Sequence, residues 1–216
     1  MAPSQDVVSL WRLLMKALKI LILAIVGILG LLLLIAAFLP SEYRVERSVV
    51  IAAEPDVVFD YVADFQNWSA WSPWEHMDPE VNITITDPSS GVGAVMSWDG
   101  AIMGQGNLTF TEVRRPEEVR STLVFTDPFE MSSTDVWKFE KFDGGTKLSW
   151  SDEGTLSWPI ERWLGLTLDG QLGPDFELGL ANIKRVVESA PPPQNPGPPP
   201  SDIVPDPTAN AGIPTD

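Results

Sequence analysis

Twenty consecutive uncharged, mostly aliphatic residues, Ile20 to Leu39, restrict what the beginning of this chain can become. At about 1.5 Å per residue, a helix of that length covers roughly the 30 Å hydrocarbon core of a bilayer. Gly27 and Gly30 do not argue against it, because Gly is tolerated in membrane helices. A cleaved signal peptide is the rival reading, but its apolar core usually spans about 7–15 residues and ends in a small-x-small site. This stretch is longer and ends AAFLP. An uncleaved anchor over residues 18–39 is therefore expected, after an N-terminal stub at 1–17.

Arg12, Lys16 and Lys19 precede the apolar run, with Asp6 alone opposing them, while only Arg44 and Arg47 follow closely. The excess of positive charge on the N-terminal side predicts that end in the cytoplasm and the rest outside, which means the periplasm if the cell is a Gram-negative bacterium. The lipid bilayer is thus the first expected partner. Residues 1–15 either extend the helix, lie along the membrane face with Trp11 at the boundary, or form a frayed stub.

The opposite end has another character. Ser189 to Asp216 holds 10 of the chain's 20 prolines and no Lys or Arg. Residues 189–216 lack the apolar content to fold. The PPPQNPGPPP run favours polyproline II, either as a spacer or as a ligand for an aromatic groove on a protein partner.

Residues 40–188 remain, enough to bury a core. They carry 11 basic and 26 acidic side chains, within a chain whose net charge is −16. That balance argues against nucleic-acid binding, which takes a basic surface. The absence of Cys excludes disulfides, thiolate metal sites and Cys nucleophiles, and the single His76 excludes Ser-His-Asp and multi-His metal chemistry. His76 with Glu75 and Asp78 reads as a loop histidine rather than a metal site, so neither metal nor cofactor is expected.

Strand signals dominate this part. Arg44–Ala52 sets Val45, Val49 and Ile51 on one face. Pro55 opens a short helix with Val58, Tyr61, Val62 and Phe65 at helical spacing. Val81–Thr86 alternates, with Val81, Ile83 and Ile85 expected inward. Strands follow at Ala94–Asp99, Gly106–Val113, Val119–Thr126, Met131–Lys141 and Thr146–Thr155. Two helices are expected last, Pro159–Leu168 and Pro174–Glu188, the second with Phe176, Leu180, Ile183 and Val187 on one face. Consecutive strands joined by tight turns, with segregated helices, describe an α+β fold on an antiparallel sheet. No Walker or dinucleotide motif occurs.

One hairpin can be registered. Gly144-Gly145 suits a two-residue type I′ turn, which pairs Phe139 with Trp150 and Trp137 with Asp152. The helix-covered face would carry Met131, Trp137, Phe139, Trp150 and two acids, Asp135 and Asp152. An inward acid is costly unless it is hydrogen-bonded or neutral, so these two mark a polar site in an apolar pocket.

Three stretches, FQNWSAWSPWEHMDP (65–79), GVGAVMSWDG with MGQGNLTFTEV (91–113), and GTKLSWSDEG leading to LGPDFELGLANIKRVVE (145–188), resemble the START-like helix-grip (SRPBCC) superfamily in its polyketide cyclase/dehydrase-like branch. The resemblance implies an antiparallel curved sheet around a long C-terminal helix, enclosing an apolar cavity. It implies a hydrophobic small molecule, lipid or polyketide-like, as partner. Trp71, Trp74, Trp98, Trp137, Phe139 and Trp150 are the candidate lining of such a cavity, with ordinary core packing as the alternative. Asp152, with Asp135, is the candidate acid if the domain is a cyclase or dehydrase. Three functions stay open at this point: a membrane-anchored binding domain, such an enzyme, or an envelope interaction protein with a closed core. A pocket of about 300 Å³ or more separates the first two from the third.

Overall fold

The computed structural model describes residues 5–128 and 130–190. Helix α1 runs from Gln5 to Phe38, so the helical part of the opening stub continues into the apolar run without a break. Within it, Leu14–Phe38 is long and apolar enough to cross a membrane, and nearly all of its described side chains are exposed. The Pro-rich tail expected at 189–216, with its protein partner, lies outside the described residues from position 191 onward.

After α1 come β1 (Glu42–Ile51), α2 (Pro55–Val62), a 3-10 turn (Phe65–Ala70) and the one-turn helix α3 (Trp74–Met77). Six strands follow, β2 (Asn82–Ile85), β3 (Val95–Gly100), β4 (Gly104–Arg114), β5 (Glu118–Asp127), β6 (Met131–Phe142) and β7 (Gly145–Thr155). Helix α4 (Ile160–Ser189) closes the fold. The seven strands form one antiparallel sheet in the order β1-β7-β6-β5-β4-β3-β2, so β1 returns beside the last strand. Two register shifts interrupt the β4–β5 pairing, at Gln105/Gly106 and Phe110/Glu112, and such bulges bend a strand and increase its local twist. This is the expected α+β helix-grip architecture.

Alternation works as the sequence implies where both layers cover the strand. Val45 and Ile51 are buried on β1 and Val49 packs against the core. Ile85 departs from expectation: it is 37 % exposed, at the end of a four-residue edge strand. The core joins Val58, Phe59 and Val62 of α2 to Leu148 and Trp150 of β7 and to Phe176, Leu180, Ile183 and Val187 of α4.

Two expectations are corrected. The C-terminal helices at Pro159–Leu168 and Pro174–Glu188 are one helix, with Pro174 inside it. A proline normally clashes with the side chain before it, but Gly173 has no Cβ to offer. The Arg47 guanidinium fills the freed space, so close that a Cβ at Gly173 would overlap it. Arg47 also bonds Asp169 and Glu177, tying β1 across the proline turn.

The β6–β7 register also differs. Asp143 and Gly144, not Gly144 and Gly145, take the two left-handed positions, with φ of 33° and 77°. The pairing therefore slips by two residues, setting Trp137 opposite Trp150 and Phe139 opposite Leu148. A slip of two preserves every inward face and changes every partner.

Candidate functional site

Between the sheet, α3 and the middle of α4 lies a cavity of about 260 Å³, just under the roughly 300 Å³ at which ligand pockets usually begin. Trp74 and Met77 of α3 and Leu172 and Phe176 of α4 form one side. Met96 and Trp98 of β3, Leu108 of β4, and Leu123 and Phe125 of β5 form the sheet side. Ile102 and Met103, in the β3–β4 turn, supply the rim. Met77, Met96, Met103 and Met131 all line the cavity, and they are every methionine that follows α1. Methionine's flexible, polarizable side chain lets such a wall adapt to its contents.

Local sequence explains how these side chains get there. Gly106 stands opposite Trp98, and a Cβ on it would fall 2.3 Å from the indole Cζ2. The missing side chain lets the Trp98 ring lie across β4 and meet Phe125 edge-on at 5.4 Å. Asp78, just after α3, accepts hydrogen bonds from the Ile102 and Met103 amides at 2.8 and 3.2 Å. These amides, Ile102 first, hold its carboxyl below the ordinary range. One carboxylate thus fixes the β3–β4 turn against the α3 side of the cavity.

Of the six aromatics expected to line the space, Trp74 and Trp98 do so. Trp71, Trp137, Phe139 and Trp150 stand behind its wall as core. Trp150 stacks on Phe176 at 4.2 Å and on Trp137 at 5.6 Å, so both its faces are covered. Trp68 and Phe176, absent from the expected set, do line the cavity. Trp68 bonds the Val62 carbonyl through its indole N–H, and Trp71 bonds that of Tyr61, which makes the first aromatic cluster a folded brace for α2.

The polar end is built by three adjacent strands. The corrected register sets Asp135 of β6 directly opposite Asp152 of β7, each 3 % exposed and each lining the cavity. Asp135 accepts the Trp150 indole N–H at 2.8 Å. Asp152 accepts the Tyr43 hydroxyl at 2.6 Å, from β1. Tyr43 reaches it across Gly154, where a Cβ would come 2.8 Å from the ring. Ser133 lies beside Asp152 without a bond of normal geometry, and its hydroxyl and the second Asp152 oxygen are buried and unpartnered.

Burial pushes the Asp135 carboxyl well above its usual range, and the charge of Asp152 adds to this. Burial raises Asp152 too, against the lowering effects of the adjacent Ser133 hydroxyl and then of the Tyr43 bond. The two carboxyls face each other with no cation between them, so the pair favours holding a proton. Burial, then the Asp152 charge, likewise pushes the Tyr43 phenol up and keeps it a donor. The arrangement can present a carboxyl proton and a carboxylate to one end of an apolar molecule. Among the described residues no group of His, Asp and Glu side chains forms a metal site.

Comparison with known proteins agrees with this architecture. A Streptomyces cyaneus protein provisionally named a polyketide cyclase is 29 % identical over 115 residues, covering 50 % of this chain and 70 % of that one. Among solved structures, the aromatase/cyclase Zhui from Streptomyces sp. R1128 aligns with a TM-score of 0.50 at 17 % identity, over 68 % of this chain and 94 % of its own. Protein CV1439 from Chromobacterium violaceum aligns at 0.51 and 18 % identity, over 70 % and 99 %. At such identities the structural likeness speaks for the fold alone. The model of the family described as polyketide cyclase / dehydrase and lipid transport matches residues 42–188, well over half of the chain, and the protein belongs to that family.

Proposed function

We propose that this protein is a membrane-anchored binding domain that holds a hydrophobic small molecule in the cavity between sheet and helices. The observation that carries the reading is a space with apolar, methionine-rich walls and one polar end; at about 260 Å³ it falls short of the roughly 300 Å³ set above, so its lining and not its size supports the reading over a closed core. Its volume suits a fused-ring compound or a single aliphatic chain better than a whole two-chain lipid.

Anchoring is supported by the length and apolarity of Leu14–Phe38 and by the way α4 meets its end. Arg162 Nη1 lies 3.3 Å from the Ala36 and Ala37 carbonyls, supplying a cation to a helix end that has no basic residue in its last turn. Beside it, Trp158, Ile160, Leu164 and Leu166 are all more than half exposed. An apolar helix start with a neighbouring Trp, held next to a membrane-crossing segment, suits the bilayer interface.

The family and the acid pair support a second reading, a cyclase or dehydrase in which Asp152, with Asp135, delivers a proton to the bound molecule. Native mass spectrometry of the detergent-extracted full chain tests the first reading. A co-purifying small molecule that is lost from a cavity-filling Leu123→Trp variant is expected. A folded wild-type protein that stays empty and binds no apolar probe overturns it.

A further inference from the structure

The strand register gathers several features at one end of the sheet. β1 begins where β7 ends, at Glu42 and Thr155, and β6 begins there too, beside the end of β5. The same end continues through the start of β4, the end of β3 and the start of β2. The exit of α1 thus shares this end with the β3–β4 and β5–β6 turns. Only Leu39 to Ser41 separate α1 from β1, a link that spans at most about 14 Å. Helix α4 also starts here, with Trp158 and Ile160 exposed and Arg162 bonded to carbonyls at the end of α1. The β4–β5 and β6–β7 turns lie at the opposite end.

The cavity opens at the α1 end. Three described side chains line it and are also more than a third exposed, Met77 at 38 %, Met131 at 47 % and Ile102 at 72 %. Met131 opens β6, Ile102 stands in the β3–β4 turn, and Met77 ends α3 shortly before β2. β6 is two places from β1 in the sheet and β4 is four, so this rim extends from roughly 10 to roughly 20 Å from the anchor's strand.

We propose that this end of the domain sits on the leaflet from which α1 emerges, with Met77, Ile102 and Met131 against the lipid, and that the cavity exchanges its occupant directly with that leaflet. The short link keeps the rim beside the bilayer, and exposed apolar side chains there gain by leaving water. An apolar occupant moving between bilayer and cavity then crosses no aqueous gap. Charge does not drive the contact: Glu80, Asp99, Asp127 and Glu130 are exposed around the same end and repel anionic headgroups. The tether therefore brings the rim down, and a zwitterionic membrane suits it best.

The inference rests on the anchored, ligand-binding reading above, and two measurements separate them. The chain has no Cys, so single cysteines take a fluorophore without background. The full chain in phosphatidylcholine vesicles is labelled at Ile102→Cys, at Met131→Cys, at Phe38→Cys on the anchor, and at Glu117→Cys in the β4–β5 turn. Lipid carrying a nitroxide high on its acyl chain should quench the two rim labels several-fold more than the Glu117 label. Rim labels quenched no more than Glu117, beside a quenched Phe38 label, overturn the inference and leave the anchor standing. An unquenched Phe38 label overturns both. Stopped-flow energy transfer to pyrene, in a Trp11→Phe, Trp158→Phe background, then reads loading of the cavity from the same vesicles. Ile102→Glu with Met131→Glu should slow loading several-fold and leave the final occupancy unchanged. Equal loading rates overturn direct exchange while cavity binding stands. No saturable transfer even without the two Glu substitutions overturns the ligand-binding reading and the exchange together.

Discussion

Asp135 and Asp152 are direct cross-strand neighbours on β6 and β7, both almost fully buried, with no basic side chain between them. Like charges directly opposite on a sheet are destabilising, and burial makes ionisation costlier still. The fold tolerates them because Trp150 and Tyr43 each donate to one of the two. Such a pair is the first place where pH should act.

For both acids the folded state raises the pKa above the unfolded value, which is about 3.9 for Asp. Their contribution to stability is therefore complete below about pH 4 and is lost as pH rises through the folded pKa. Asp135→Asn keeps an acceptor for Trp150 and removes the titration. Relative to wild type, its stability should rise between pH 4 and pH 8 in urea melts. A constant difference across that range would refute the shift.

Tyr43→Phe removes the donor to Asp152 and leaves a buried carboxyl oxygen alone. The expected loss is about 1–3 kcal/mol, the usual cost of an unsatisfied buried polar group. Gly154→Val should mimic it, since its Cβ displaces the Tyr43 ring. Chemical denaturation of both variants checks this, with Tyr61→Phe as a control whose phenol has no such bond to Asp152.

Asp78 should act on the cavity rim rather than on the whole fold. In Asp78→Ala the Ile102 and Met103 amides lose their acceptor, and their hydrogen exchange should quicken by an order of magnitude or more while β6 and β7 amides stay protected. Because the Asp78 pKa is lowered in the fold, the same loosening should appear in wild type only as pH falls below the unfolded value of about 3.9.

The start of α4 offers a membrane test. If Trp158 lies at the bilayer interface, brominated lipids should quench part of the chain's fluorescence, and Trp158→Phe should reduce that quenched fraction. Ile160→Glu with Leu164→Glu should lower it without shifting Tm, because both side chains are more than half exposed and pack on little of the fold. Quenching identical in all three proteins would remove the interfacial role.

The amino-acid sequence by itself determined the helix of the apolar run, seven strands in order, and the inward faces of β1, β6 and β7. Each follows from local periodicity, which the chain carries wherever it folds. It also marked Asp135 and Asp152 as inward acids, for the same reason. What it left open is pairing. Gly144-Gly145 and Asp143-Gly144 both satisfy a type I′ turn, and only packing of the finished sheet chose the second. That choice brought Asp135 to Asp152 instead of to Gly154. The separate pairing of β1 with β7 sets Tyr43 across the glycine. The cavity lining was decided in the same way. Trp74 and Trp98 belong to it, while Trp71, Trp137, Phe139 and Trp150 stack behind it. Alternation says which way a side chain points, not what stands in front of it, and Phe176, from a distant helix, covers Trp150. Distances between segments remote in sequence are set by the tertiary fold, and it is there that the polar end of the cavity is assembled.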